Sequence, residues 1–237
     1  PMILGQDKKR LSKRHGATGV QSYQDEGYQP EALLNYLSLL GWNPGTEEEV
    51  MSLKEIIEKF DFSHVHKKGA IFDEKKLNWI SSQHIAKQSN EDILSGIRQI
   101  NSDWGNATSD SFCMNVIDLM KIRSKSLTEL MEHSRYFFED PTCFDQKELR
   151  KFWKDDTCDI VENVKTILNE LEPWDEQSLE EKLKSFMEEN EYGFGKVMKP
   201  IRFSISGTVN GPSLFSILNL LGKETVLRRI ELALTNF

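Results

Sequence analysis

Most apolar residues of this chain return at intervals of three and four, the spacing that gathers them on one face of a helix. Gln29-Pro30 opens a predicted helix over Glu31–Leu40, with Leu33, Leu34, Leu37 and Leu40 on its apolar side and Gly41 as its stop. Ser52-x-x-Glu55 reads as a capping box ahead of Ile56, Ile57 and Phe60. Asp73 caps a further helix, around which Phe72 and Leu77 are spaced for a hydrophobic staple, and Trp79 and Ile80 are expected to face the core. Four more starts are marked by Ser89-x-x-Asp92, Ser126-x-x-Glu129, Asp145-x-x-Glu148 and Ser178-x-x-Glu181. Ile160, Val161, Val164, Ile167, Leu168 and Leu171 form one wide stripe that ends at Pro173. Leu214, Phe215, Ile217, Leu218 and Leu221 run to Gly222, and Val226, Leu227, Ile230 and Leu234 supply the last stripe.

Strand signals are few: Met2-Ile3-Leu4, Ala70-Ile71-Phe72, and an alternation of Ile201, Phe203 and Ile205 too short to build on. The prediction is a mostly α chain arranged as a helical bundle or cage. Gly41–Thr46, the Lys67-Lys68-Gly69 turn and the stretch Asp155–Thr157 are the candidate breaks, and we divide the chain into 1–66, 67–156 and 157–237. The acidic run from Glu172 to Glu191 reads as a solvated helix face.

Composition narrows the function. The chain has 237 residues and 38% hydrophobic content, enough for a sizeable core. A net charge of −8 and a pI near 5.3 argue against bulk, charge-driven binding of nucleic acid, so any RNA contact must use local basic faces. Cys113, Cys143 and Cys158 show no spacing suited to zinc or to a disulfide framework, which fits a reducing cytoplasm. No run approaches transmembrane length, so no membrane partner is expected. The chain opens on Pro1 and enters a charged loop almost at once, as an excised segment does.

That loop, Lys9-Arg10-Leu11-Ser12-Lys13-Arg14-His15-Gly16-Ala17, is the densest chemistry in the chain. Lys8, Lys9, Arg10, Lys13 and Arg14 are basic, against one acid, Asp7. Lysines act as point charges on phosphate oxygens, Ser12 and backbone N–H groups add hydrogen bonds, and Gly5 and Gly16 permit close approach. Most Lys/Arg-rich runs are nonspecific patches. Here the order of residues resembles the second signature loop of class I aminoacyl-tRNA synthetases, in the Lys-Leu-Ser-Lys-Arg-His-Gly-Ala form of bacterial-type glutamyl-tRNA synthetases. Arg10 departs from that pattern, standing where the family commonly has the first lysine, and Lys13 matches the second.

The resemblance continues beyond the loop. Gly27-Tyr28-x-Pro30-Glu31-Ala32-Leu33-x-Asn35-Tyr36-Leu37-x-Leu39-Leu40-Gly41-Trp42 is similar to the helix that follows the signature in this family. Phe72-Asp73-x-x-Lys76-Leu77-x-Trp79-Ile80 is similar to its next block. Pro200-Ile201-Arg202 through Gly207, Gly211-Pro212, Leu221-Gly222-Lys223-Glu224 and Arg228-Arg229 resemble its C-terminal block. The resemblance implies a signature loop and stem-contact segment at 1–66, then an all-α anticodon-binding cage in two subdomains, 67–156 and 157–237. It implies a parent ligase, monomeric and cytoplasmic, that activates L-glutamate with ATP and Mg²⁺ and charges tRNA(Glu). The first class I signature, of His-x-Gly-His type, is missing from these residues, so this chain alone is expected to bind tRNA and not to catalyse.

By the same resemblance Lys13, Ser12, Leu11, Arg10 and Arg14 bind ATP. Arg123 is implied to read the third anticodon base, and Arg202 and Leu214 to touch the anticodon. Gly211 falls where the family can carry a hydroxyl, so that contact is expected through backbone here. Lys184 replaces a family arginine and is the weakest of the set. On spacing alone Arg123 reads as a helix-end arginine. Most of the five tryptophans read as core or hinge packing, His64-x-His66 as a turn or strand pair, and Asp155-Asp156 as a cap. The competing function is a noncatalytic helical interaction scaffold with a basic N-terminal tail.

Overall fold

The structure is a computed structural model that describes residues 1–12, 19–141, 144, 146–154 and 156–236. It is mostly α, as the periodicity predicts, with thirteen α-helices and one two-stranded sheet among the described residues. Two compact units divide between Glu132 and His133, inside the segment 67–156 that the sequence reading kept together.

In the first unit β1 (Ile3–Leu4) pairs in parallel with β2 (Ala70–Ile71), placing Ile3 opposite Ala70 and Leu4 opposite Ile71. The helices are α1 (Val20–Asp25), α2 (Pro30–Leu39), α3 (Leu53–Lys59), α4 (Glu74–Lys87), α5 (Asn90–Ile100), α6 (Asp110–Met120) and α7 (Leu127–His133), the last of which crosses the division. Tyr28, Leu33, Tyr36, Leu40, Leu77 and Ile80 form one core cluster, with Ile3, Ala70 and Phe72 packed against it, so the sheet is fastened to α2 and α4. The buried tyrosines are anchored at their tips: Tyr36 Oη accepts from the Asp73 amide at 2.6 Å, and Tyr28 Oη donates to Asn78 Oδ1 at 2.5 Å. Burial pushes both phenols up to about 12. Gly27 takes a left-handed conformation, and a Cβ there would lie 2.5 Å from Thr128 Oγ1, so only glycine lets this turn meet the start of α7.

The second unit holds α8 (Gln146–Phe152), α9 (Thr157–Glu170), α10 (Glu176–Glu189), α11 (Phe194–Ser206), α12 (Leu214–Leu221) and α13 (Lys223–Asn236). Helices α9, α11 and α13 pack on one another, and α10 packs on α12. Ile160, Val161, Val164 and Leu168 of the predicted stripe are buried, and Ile167 is half-exposed.

Several expectations are corrected. Trp79 is exposed, not core, because only the α4 face carrying Leu77, Ile80 and Ile85 meets other elements. Leu34, Leu37, Ile57 and Phe60 are likewise exposed. The start of α10 is set three residues earlier than its capping-box spacing suggests: Asp175 is the cap and accepts from the Ser178 amide at 2.8 Å. Ile201, Phe203 and Ile205 alternate within α11, where Ile201 and Ile205 are one helical turn apart and all three are buried. Asp156 stands at the start of α9 without bonding its amides, and pairs instead with Lys196 at 2.6 Å. Asp145 and Asp155 lie outside the described residues.

Candidate nucleic-acid interface

The basic loop is positioned by a hairpin on the free edge of β1. Leu11 N donates to Ile3 O at 2.9 Å, Gly5 N to Lys9 O at 2.8 Å, and Lys8 N to Gly5 O at 2.9 Å. Lys8 adopts φ 61°, and the Asp7 carboxylate accepts from the Lys9 amide at 3.0 Å, which tightens the turn. Lys8, Lys9 and Arg10 consequently stand in solvent, while Leu11 and Ser12 are half-buried. The Lys9–Asp7 ion pair, at 3.8 Å and exposed, adds little to stability. Lys13 and Arg14, the other two cations of the signature, lie outside the described residues.

Beside Leu11 opens a cavity of about 820 Å³. Its apolar wall includes Ile3, Tyr23 and Phe72, and Glu26, Asp73 and Glu74 also line it. Lys75 is the one cation among the described residues that line it.

Arg123 ends a 3₁₀ turn, Lys121–Arg123, directly after α6. Backbone on either side is held: Ser124 Oγ donates to Met120 O at 3.0 Å, and Ser81 Oγ of α4 donates to Lys125 O at 2.6 Å. Glu129 N donates to Ser126 Oγ as the sequence predicts, but the Glu129 carboxylate accepts from Lys125 N, one residue before the position a reciprocal capping box requires. The neighbouring Lys121 ammonium is occupied by Asn90 Oδ1 at 2.8 Å and Asp118 at 3.4 Å. The Arg123 guanidinium is exposed and makes no hydrogen bond or ion pair among the described residues. It does not satisfy the helix-end carbonyls, and it is open to a ligand.

In the second unit Arg202, Gly211 and Leu214 come together at one corner. Arg202 projects from α11, its Nη2 donates to Pro212 O at 2.7 Å, and Gly211 lies against its Nη1. Leu214 begins α12 two residues further on and is buried. Lys184 stands on the exposed face of α10, paired with Glu180 at 2.6 Å, and that carboxylate holds its pKa above the usual lysine value.

Sequence reasoning missed the hub of this unit. Arg229, on α13, is 3% exposed. Its Nη1 donates to Tyr136 O and Ile205 O at 2.7 Å, its Nη2 to Glu139 O at 3.0 Å, and its Nε to Asp140 Oδ1 at 2.8 Å. Asp140 also pairs with Arg228, and the two guanidinium groups hold its carboxyl down to about 2. The signal was present: Arg229 falls three residues after Val226 and four before Ala233, on the apolar face of its helix. Among the described residues no group of three or more His, Cys, Asp or Glu side chains is placed to hold a metal, and no helix is long and apolar enough to cross a membrane.

Comparison with known proteins adds four findings. Residues 93–234 match the family profile described as an anticodon binding domain, and residues 1–79 match that of the catalytic domain of class I (E and Q) tRNA synthetases. Glutamate–tRNA ligases of Moorella thermoacetica and Chloroherpeton thalassium are 39% and 37% identical over 98% of this chain. The chain spans about half the length of these curated relatives, 49% of each. A crystal structure of a glutamate tRNA ligase from Elizabethkingia meningosepticum in complex with its amino acid superposes with a TM-score of 0.83 at 30% identity, over 99% of this chain and 50% of that one.

Proposed function

Because this chain belongs to the glutamate–tRNA ligase family of class I aminoacyl-tRNA synthetases, we propose that it is the portion of such a ligase that docks tRNA(Glu) and reads its anticodon. The observation that carries this reading is the order of two matches on one chain: the loop-bearing end of a class I catalytic domain, then an anticodon-binding domain. The relatives named above are glutamate–tRNA ligases, which does not favour the scaffold alternative.

In the whole ligase, glutamate attacks the α-phosphate of ATP to give an acyl-adenylate and pyrophosphate, and the 3′ ribose of the tRNA then takes the glutamyl group. Arg10, Leu11, Ser12, Lys13 and Arg14 are the loop that closes over the phosphates. Lys13 is the main cation against the charge that builds there, and its loss costs about 10²–10³ in rate. Mg²⁺ neutralises phosphate charge when bound, and we assign none of its ligands to the described residues. Residues 1–66 act as signature loop and stem contact, and 67–156 and 157–237 as the anticodon-binding parts.

Arg123 reads the third anticodon base, its planar fork meeting the acceptor edge of an unpaired cytosine. Arg202, Gly211 and Leu214 form a second contact region, and Lys184 joins only when its pair with Glu180 opens. The test is titration of the chain with an RNA hairpin carrying the glutamate anticodon, at rising salt. Specific binding that Arg123→Ala weakens by about 1–3 kcal/mol, mainly at the third base, is expected by analogy with single mismatches in DNA sites. Equal, weak affinity for every hairpin would sink the reading.

A further inference from the structure

Two serines stand side by side on α4, and their hydroxyls go to different elements. Ser82 Oγ donates to Trp79 O of its own helix at 2.8 Å, a common outlet for a hydroxyl inside a helix. Ser81 is fully buried, and its Oγ donates to Lys125 O at 2.6 Å, a bond between positions 44 residues apart. Its one proton is committed to another element and not to the turn behind it.

The carbonyl that Ser81 meets belongs to a short strap, residues 124–127, which leaves the Arg123 turn and enters α7. Further bonds hold this strap: Lys125 N donates to Glu129 Oε2 at 2.7 Å, Ser124 Oγ to Met120 O at 3.0 Å, and Leu127 N to Gly27 O at 3.0 Å. Lys125 is thus gripped at both of its backbone groups, two residues beyond Arg123. The Arg123 guanidinium makes no hydrogen bond or ion pair among the described residues, so the point from which it reaches out is fixed by held backbone on either side. A planar fork meets a base edge productively only within about 0.5 Å and 10–20° of its proper placement. Lys121 holds the near side of the turn through Asn90 Oδ1 at 2.8 Å, but it carries a charge that RNA would feel wherever it stood. Ser81 carries none, and its burial keeps it from touching RNA.

We infer that Ser81 is a positioning residue for Arg123: from inside α4 its hydroxyl pins the strap that follows the arginine, so that the guanidinium is offered ready-placed to the third anticodon base. This rests on the anticodon reading above and adds to it the part that holds the reader still. Glu129 grips the amide of the same residue whose carbonyl Ser81 grips, and it is the second member of the clamp.

The test is a double-mutant cycle in the full chain, Ser81→Ala against Arg123→Ala. It is read as affinity for a hairpin with the glutamate anticodon and for three hairpins each with one anticodon base changed. Ser81→Ala is expected to lose about fivefold on the glutamate hairpin, a size usual for residues coupled through one network. The lost preference should lie mainly at the third base, with preference at the first and second kept. In the Arg123→Ala background the same substitution is expected to change affinity by less than about twofold, because no reader is left to position. A serine that only supports the fold would weaken both backgrounds alike. If Ser81→Ala does not melt as a folded chain, Glu129→Ala, which frees the Lys125 amide, takes its place in the cycle, and Glu129→Gln, which keeps an acceptor there, is expected to bind as wild type does. Equal losses in the two backgrounds, equal weakening on all four hairpins, or wild-type binding by the clamp variant would each overturn the inference. A wild-type chain that prefers none of the four hairpins, or an Arg123→Ala variant that loses nothing at the third base, would overturn the anticodon reading itself, and this inference with it.

Discussion

At the scale of single residues, the side chain that organises most backbone is Arg229, which serves three carbonyls and a carboxylate from inside the second unit. Replacing it with methionine keeps the bulk but leaves buried acceptors unmet, and we expect a loss of about 3–5 kcal/mol in denaturant unfolding. Its partner Asp140 predicts a pH dependence with a definite sign. A carboxyl held at about 2, below its ordinary 3.8, stabilises the fold only when ionised. The contribution is complete above the ordinary value and disappears as pH falls toward 2. Thermal melts of wild type and Asp140→Asn should therefore differ at about pH 5 and converge near pH 2. A constant gap across that range would show that the ion pair is not its source.

At the scale of elements, local chemistry set the helix starts, and the sequence was legible wherever a cap has no competitor. Ser52, Asp73 and Ser89 each accept from an amide two or three residues ahead, as their spacing predicts. The exception, α10, has two candidates three residues apart, and its start goes to Asp175, whose carboxylate also faces the positive end of the helix. Asp175→Ala is accordingly expected to cost about 1 kcal/mol and Ser178→Ala less than about 0.5, measured by urea unfolding. The reverse order would restore the capping box read from sequence. What periodicity does not reveal is which apolar face finds a partner. Leu33 and Leu37 share one stripe of α2, yet Leu33 is buried in the core and Leu37 is left exposed along the cavity beside Leu11. That difference comes from the sheet and α4, which reach α2 from far along the chain.

At the scale of the whole molecule, a net charge of −8 means that the RNA binding proposed above would have to use small basic features, among which the exposed Arg123 is the one we propose. The role proposed for Arg123 comes only from resemblance, since its spacing alone describes a helix end. The bond from Arg202 to the Pro212 carbonyl was not legible, because a partner ten residues away leaves no mark in periodicity. The 237 residues contain no His-x-Gly-His signature, so the purified chain is expected to support no ATP–pyrophosphate exchange with glutamate. Robust exchange would mean that nucleotide activation needs less of the ligase than its relatives' length suggests. The position of Arg229 also bears on how this polypeptide tolerates clipping. The donor for three carbonyls rides on α13, so that helix is a fastening for the turn and the helix end it serves. A protease nick between α12 and residue 229 is expected to free the Arg135–Phe137 turn and the end of α11 at one stroke, because both give their carbonyls to the same guanidinium.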